Sequence, residues 1–203
     1  MSDGAAIIPL PLGPKRPAEL RARTDDELMR LAAGDLAEAY DELVHRHAGP
    51  LRAFCSRMLG NPGRGDDVAQ EVFLEVWRTR ARYQAQGRFR AFLFTAARNR
   101  CLRAIRDQRP RPSPDGPEAD SSDSTASQLD ALLEAERRRR LADHIAQLSP
   151  KLREAIWLRF SADLDFDEVA RAARCPVETA RSRVFLALKR LRSLLGDEEG
   201  RQP

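Results

Sequence analysis

The sequence predicts an all-α protein: two small helical domains joined by a flexible acidic linker, the second built around a helix-turn-helix. Apolar residues recur at spacings of three and four in both halves, and no stretch alternates as a strand would. Capping and stop signals bracket those runs. Between the halves, over residues 110–130, the composition turns to Pro, Ser and Asp, too poor in apolar surface to offset the entropy of folding.

A chain of 203 residues has room for two such domains. Residues 1–23 are proline-rich, lack periodicity and read as a flexible tail. The first domain is expected over 24–108. Thr24 and Glu27 form a capping-box pattern that opens a helix; Gly34 ends it and Asp35 starts the next. Leu36, Ala39, Tyr40, Leu43, Val44 and His47, then Leu51, Phe54, Met58 and Leu59, keep helical spacing, and Pro50 is expected to kink or split that helix. Residues 60–63 make a turn, after which Asp66 caps a third helix running to about Arg82. On its wheel Val68, Ala69, Val72, Phe73, Val76 and Trp77 form a core side, opposite Asp67, Gln70, Glu71, Leu74, Glu75 and Arg78. Leu74, an apolar residue among charges, is either chance or part of a docking surface. After a loop at 84–87, a fourth helix over 89–107 carries Arg88, Arg90, Arg98, Arg100, Arg103 and Arg106 interleaved with Phe89, Phe92 and Phe94.

The linker, 109–127, holds Asp115, Glu118, Asp120 and Asp123, with no basic residue after Arg111. The second domain is expected over 128–196, with a short tail at 197–203. Leu129, Leu132, Leu133 and Glu136 open a helix that passes through the arginines of 137–140. Ser149 and Pro150 occupy N-cap and N1 of the next helix, which contains Leu152, Ala155, Ile156 and Leu158. Asp165 and Glu168 form a second capping box around a short helix with Val169, Ala170 and Ala173 inside. Cys175 and Pro176 turn the chain into a final helix over 177–195.

That last arrangement has the layout of a helix-turn-helix. Val177, Ala180, Val184, Ala187, Leu188, Leu191 and Leu195 form one apolar stripe, opposed by Glu178, Ser182, Phe185 and Lys189 and flanked by Arg181, Arg183 and Arg190. The pattern fits a DNA-reading helix and equally an ordinary helical hairpin with a solvated basic face.

The bulk charge is modest: 35 basic against 31 acidic residues, a formal net charge of +4. Lys15, Lys151 and Lys189 are the lysines; the other basic residues are arginine, suited to bidentate phosphate and guanine contacts. A GC-rich coding sequence accounts for that bias as well. Cys55, Cys101 and Cys175 are too few and scattered for a disulfide framework or a CxxC metal site, which fits a reducing cytoplasm. The apolar stretch at 7–12 is broken by Pro9 and Pro11 and has no basic residue before it, so it makes a poor signal peptide, and no run is long enough to span a membrane. An enzyme is not expected. His45 and His47 point about 200° apart on a helix and cannot share a metal, and no phosphate loop, activated nucleophile or ligand cluster is present. No cofactor or metal is expected.

Two stretches carry a specific resemblance. LSPKLREAIWLRF followed by DLDFDEVARAARCPVETARSRVFLALKRLRSLL resembles the C-terminal promoter-reading domain of sigma-70 family RNA polymerase sigma factors of the extracytoplasmic-function (ECF) group. GDDVAQEVFLEVWRTRARY followed by GRFRAFLFTAARNRCLRAIRDQ resembles the N-terminal domain of the same group, in the right order and at a suitable linker distance. The resemblance spans roughly residues 25–196.

By position, the resemblance implies that Asp67, Gln70, Glu71, Leu74 and Trp77 dock on the β′ clamp of core RNA polymerase, with the β flap as a further partner. The loop and helix of 84–106 match the element that melts and reads the −10 sequence, with Arg88, Arg90, Arg98, Asn99, Arg100 and Arg103 as candidates. Phe89, Phe92 and Phe94 are expected in the core rather than as stacking platforms. Glu178, Thr179, Arg181, Ser182, Phe185 and Lys189 are candidates for reading the −35 element, with Arg183 and Arg190 on phosphates. The linker would thread the channel later used by nascent RNA, its acidity either mimicking RNA or merely solvating a tether. An anti-sigma factor is a further expected partner.

There are departures. Family members usually have Gly at the position of Glu178, often Lys at Arg181 and Trp at Phe92, and an Asp near Arg103 or Ala104. A carboxylate at Glu178 repels phosphate but accepts from a cytosine amino group, which bears on the −35 sequence read. Two other classes compete: a stand-alone helix-turn-helix repressor, which leaves the N-terminal half without a role, and an adaptor that binds other helices. Cys55 and Cys101 are read as buried inert thiols in preference to oxidation sensors.

Overall fold

The computed structural model describes residues 18–107 and 128–199, and among them every regular element is a helix. The first bundle comprises α1 (Ala18–Arg21), α2 (Asp25–Ala33), α3 (Ala37–Leu59), α4 (Pro62–Arg78), a 3₁₀ turn (Arg80–Arg82) and α5 (Phe89–Arg106). The second comprises α6 (Gln128–Ala146), α7 (Pro150–Ile156) extended by a wider π-helical turn (Trp157–Ser161), α8 (Phe166–Ala173) and α9 (Val177–Glu199). The expected linker and residues 1–17 lie outside the described residues.

Order begins earlier than expected. Residues 18–23 form α1 and its exit, with Leu20 buried. Arg46 fixes this segment: its guanidinium donates to the carbonyls of Leu20, Arg21 and Arg23 and to the carboxylates of Asp25 and Glu42. The capping box of Thr24 and Glu27 opens α2 as the sequence predicts, with Thr24 N donating to Glu27 at 2.8 Å.

Other boundaries move. Asp35 does not cap α3; it has a left-handed φ of 67°, accepts from Arg80, and leaves Leu36 as an N-cap without a side-chain bond. Pro50 does not split α3, which runs as one helix through it. Helix α4 starts at Pro62 rather than at Asp66, because Asn61 accepts from Arg64 N at 3.0 Å while Asp66 forms a two-point ion pair with Arg52 at 2.8 and 2.9 Å. Helix α9 continues to Glu199, past the expected start of the tail.

In the core of the first bundle, Leu43, Leu51 and Phe54 of α3, Val68, Val72 and Val76 of α4 and Phe94 of α5 are buried as expected, and Leu93 and Ala97 of α5, which the sequence did not single out, join them. Phe54 meets the edge of Phe94 with ring centroids 5.5 Å apart. That core continues without a break into Leu158, Ala162, Leu164, Val169 and Ala173 of the second bundle. A smaller cluster of Leu148, Ile156, Ala187 and Leu191 ties α7 to α9.

Asp25, at the start of α2, gives the fold an acid-sensitive point. Burial pushes its carboxyl up, but the His47 ring nitrogen at 2.7 Å and the Arg46 guanidinium at 2.9 Å outweigh that and hold it below the ordinary carboxylate value. A depressed folded value stabilises the protein above the unfolded carboxylate pKa, near 4, and that contribution is lost as pH falls through the folded value. Asp25→Asn should therefore flatten the acid limb of the stability curve. Urea midpoints between about pH 2 and 5 check this.

Candidate nucleic-acid interface

The helix-turn-helix is built from local signals. Asp165 accepts from Glu168 N at 2.7 Å while its own N–H donates to the Glu168 carboxylate at 2.9 Å, closing a capping box at the head of α8. Arg174, at a left-handed φ of 52°, ends α8, and Cys175 N donates back to Ala170 O at 2.9 Å. Pro176 O accepts the first bond of α9 from Ala180 N.

Helix α9 seats Ala180, Val184, Ala187 and Leu191 inward. Glu178, Arg181, Ser182, Phe185, Lys189 and Arg190 are exposed, and Thr179 and Arg183 are half-buried at the edges of that face. The apolar stripe is narrower than expected, since Leu188 and Leu195 are exposed at 41% and 42%. Phe185 and Leu186 are also exposed, at 67% and 48%, among the polar residues of the outward side. Arg181 lies over the ring of Phe166, 5.6 Å from its centroid, which orients the guanidinium from α8. Phe166 was not among the sequence candidates, nor were Arg171 and Arg174, which line a broad hollow of about 550 Å³ beside the turn. Arg171 and Arg174 left a signal in the sequence as basic residues just before α9.

On α5 the −10 candidates fall into separate groups. Asn99, Arg100 and Arg103 line a hollow of about 180 Å³ with Phe92, Thr95 and Glu75. Arg88 is exposed at the N-cap of α5. Arg90 and Arg98 instead face the second bundle. Arg90 donates to Ala162 O at 2.6 Å and to Asp163 O, and Arg98 pairs with Glu154 of α7. A third tie, Arg57 to Ser161 Oγ at 2.6 Å, lies on α3. Phe89 and Phe94 are buried as expected, but Phe92 is 39% exposed and forms a wall of the hollow.

The clamp candidates are on α4. Asp67, Gln70 and Glu71 are exposed, and Leu74 is half-buried beside them. Trp77 packs against Tyr40 with centroids 5.1 Å apart and lies 3.9 Å beneath the Arg80 guanidinium, so only part of it meets solvent. Glu71 accepts from Arg100 at 2.5 Å, joining this face to the α5 hollow.

Among the remaining histidines and cysteines, His45 is exposed and Cys175 half-buried, and the other four are buried. His47 and His144 are buried. Cys55 and Cys101 are fully buried, and a hydrogen bond with Cys101 together with burial pushes the Cys55 thiol up, away from the reactive thiolate. No described helix is long and apolar enough to cross a membrane.

Fold and site thus define an all-helical protein with a helix-turn-helix presenting a polar, arginine-bearing face. Its family follows from comparison with known proteins. A family profile described as Sigma-70 region 2 matches residues 43–111, and one described as Sigma-70, region 4 matches residues 138–191. The RNA polymerase sigma factor CarQ of Myxococcus xanthus is 33% identical over 162 residues, covering 80% of this chain and 92% of that protein. The ECF RNA polymerase sigma factor SigK of Mycobacterium sp. (strain KMS) is 28% identical over 176 residues, covering 84% and 90%. The solved structure of CnrH in complex with the cytosolic domain of CnrY shares the fold, with a TM-score of 0.65 at 24% identity over 85% of this chain and 97% of that one. So does the sigma factor RpoE in complex with the anti-sigma factor NepR from Bartonella quintana, with a TM-score of 0.61 at 20% identity over 77% and 96%. The chain belongs to the sigma-70 family, in its extracytoplasmic-function group, and is an RNA polymerase sigma factor for promoter-specific transcription.

Proposed function

We propose that this sigma factor docks on the β′ clamp through Asp67, Gln70, Glu71, Leu74 and Trp77, reads the −35 element with α9, and opens and reads the −10 element with α5 and the 84–87 loop. The observation that carries this is α9: an inward apolar face fixes its position, and Glu178, Arg181, Ser182 and Lys189 are left exposed along one side. A major groove admits such a helix, and arginine there is matched to guanine.

The α5 hollow supports the second half. Its volume suits one nucleobase, Phe92 offers a ring face, Asn99 offers both donor and acceptor, and Arg100 and Arg103 offer charge to a backbone. Arg90 and Arg98 reach DNA only after the second bundle leaves α5, so their role requires the bundles to separate on polymerase. The two-domain division at 24–108 and 128–196, a linker threaded through the RNA channel, a β flap contact by the second domain, a non-catalytic role and a cytoplasmic site of action belong to the same proposal. So does an anti-sigma partner, for which the support is that the RpoE relative was captured with one.

Initiation assays with purified core polymerase on promoter fragments test this. Arg181→Ala should reduce discrimination at one −35 position by about 1–3 kcal/mol. Arg183→Ala should weaken binding to all promoters alike and flatten the salt dependence. Promoter use unchanged in both variants rules out α9 as the reading helix.

A further inference from the structure

Asp26, in the first turn of α2, belongs to neither the polymerase-docking nor the DNA-reading candidates, yet it is only 7% exposed. A carboxylate so placed is costly unless its oxygens are satisfied. Both turn to one short segment. Oδ1 accepts from the Tyr83 hydroxyl at 2.5 Å, and Oδ2 accepts from the backbone N–H of Gly87. Tyr83 and Gly87 are the two ends of the loop whose intervening residues, 84–86, are all exposed.

The geometry around the loop is specific. Gly87 has a φ of 69°, and a Cβ built there would meet nothing within 4 Å, so the position calls for glycine by its backbone conformation rather than by lack of space. The left-handed turn aims the Gly87 N–H at Asp26. Helix α5 begins directly afterwards, and its N-cap, Arg88, makes no side-chain capping bond. On the other side the Tyr83 ring touches Phe89, 5.9 Å between centroids, and Phe92, 5.2 Å. One carboxylate therefore fixes the loop at both ends and, through Tyr83, the ring that walls the α5 hollow. Burial pushes the Tyr83 hydroxyl up, and Asp26 adds to this, so Tyr83 stays a donor.

We propose that Asp26 is a positioning residue for promoter opening: it clamps the ends of the 84–86 loop so that loop and Phe92 wall are already in place when a −10 base leaves the duplex. This rests on the assignment of α5 and its loop to the −10 element. A preorganised loop spares the entropy of ordering it at the moment of melting. Asp26 touches none of the side chains assigned to DNA, so it acts through its bonds to Tyr83 and to the Gly87 backbone.

The test uses the full chain with core polymerase on one promoter in two forms, a paired duplex and a duplex premelted by mismatches across the −10 region. Asp26→Ala removes both acceptors, leaving the Gly87 N–H and the Tyr83 hydroxyl without the carboxylate that holds them. Initiation on the paired template should fall about tenfold or more, the effect of losing a hydrogen bond to a charged group. On the premelted template the fall should be within about threefold, and core binding should be unchanged within about twofold, differences well below one such bond. Permanganate reactivity of unpaired thymines should fall with initiation on the paired template. Tyr83→Phe removes one of the two bonds without removing the ring, and should give the same pattern with a smaller amplitude even if Asp26→Ala folds poorly.

Equal losses on both templates would make Asp26 a plain fold anchor and overturn the proposal, as would no loss on either. If the unaltered protein directs no initiation from any template, the −10 assignment itself fails and the proposal goes with it.

Discussion

Gly65→Ala should destabilise the protein by about 3 kcal/mol or more, the upper end of the cost of overpacking a rigid contact. The expected sign is unusual, because glycine inside a helix ordinarily costs about 0.5–1 kcal/mol relative to alanine, so the same change elsewhere stabilises. Gly65 is buried where α4 crosses α3, and a Cβ there would lie 2.4 Å from both Cα and N of Ser56. Those are backbone atoms of a neighbouring helix, and no rotamer change relieves the clash; α3 and α4 must move apart. The cost falls on the pairing that buries Leu51, Phe54, Val68 and Val72 and that holds Asp67, Gln70 and Glu71 in register. Gly63→Ala is the internal control. It lies in the same helix, and its Cβ would meet only Asn61 Oδ1, at an ordinary 3.6 Å. It should be neutral or slightly stabilising. Urea midpoints for the two variants, with helix content followed by circular dichroism, give the comparison.

Gly65 also shows where the sequence stops being informative. Local chemistry was legible: the capping boxes at Thr24 and Asp165, the stop at Gly34, and the buried stripe of α4 all depend on residues within one or two turns. The start of α4 was misplaced because Asn61 and Asp66 are both competent caps, and only the ion pair of Asp66 with Arg52, 14 positions away, decides between them. Helix α1 was missed for the same reason, since its order depends on Arg46. The site followed the same rule. The outward residues of α9 came from a fixed rotation per residue. The division of the α5 arginines did not, because which of them face solvent depends on where the second bundle rests. Asn99 and Arg103, one turn apart, share the hollow, while Arg98 is rotated away from them and meets Glu154. No periodicity within α5 encodes a partner on α7.

That partnership has the second large consequence. Glu154→Ala should cost about 3–5 kcal/mol, the penalty for leaving one member of a buried ion pair uncompensated. The side chains of Arg98 and Glu154 are only 16% and 8% exposed, so water cannot replace the missing carboxylate without opening the interface between α5 and α7. The neighbouring ties do not compensate: Arg57 to Ser161 and Arg90 to the carbonyls of Ala162 and Asp163 are made at the end of the π-helical turn, beyond Glu154. The effect should therefore appear first as separation of the bundles, seen as an increased radius of gyration in solution scattering, with a lower urea midpoint alongside. Replacing both partners distinguishes the cost of a bare charge from that of weakened packing between the helices. Arg98→Met with Glu154→Leu removes the pair but keeps apolar bulk on both sides, and a buried ion pair exchanged for matched apolar groups is often neutral or stabilising. The double variant should recover most of the stability that Glu154→Ala forfeits. Recovery of compactness together with a loss of −10 discrimination would then separate the observed tie that Arg98 makes between the bundles from the contact with promoter DNA proposed for it.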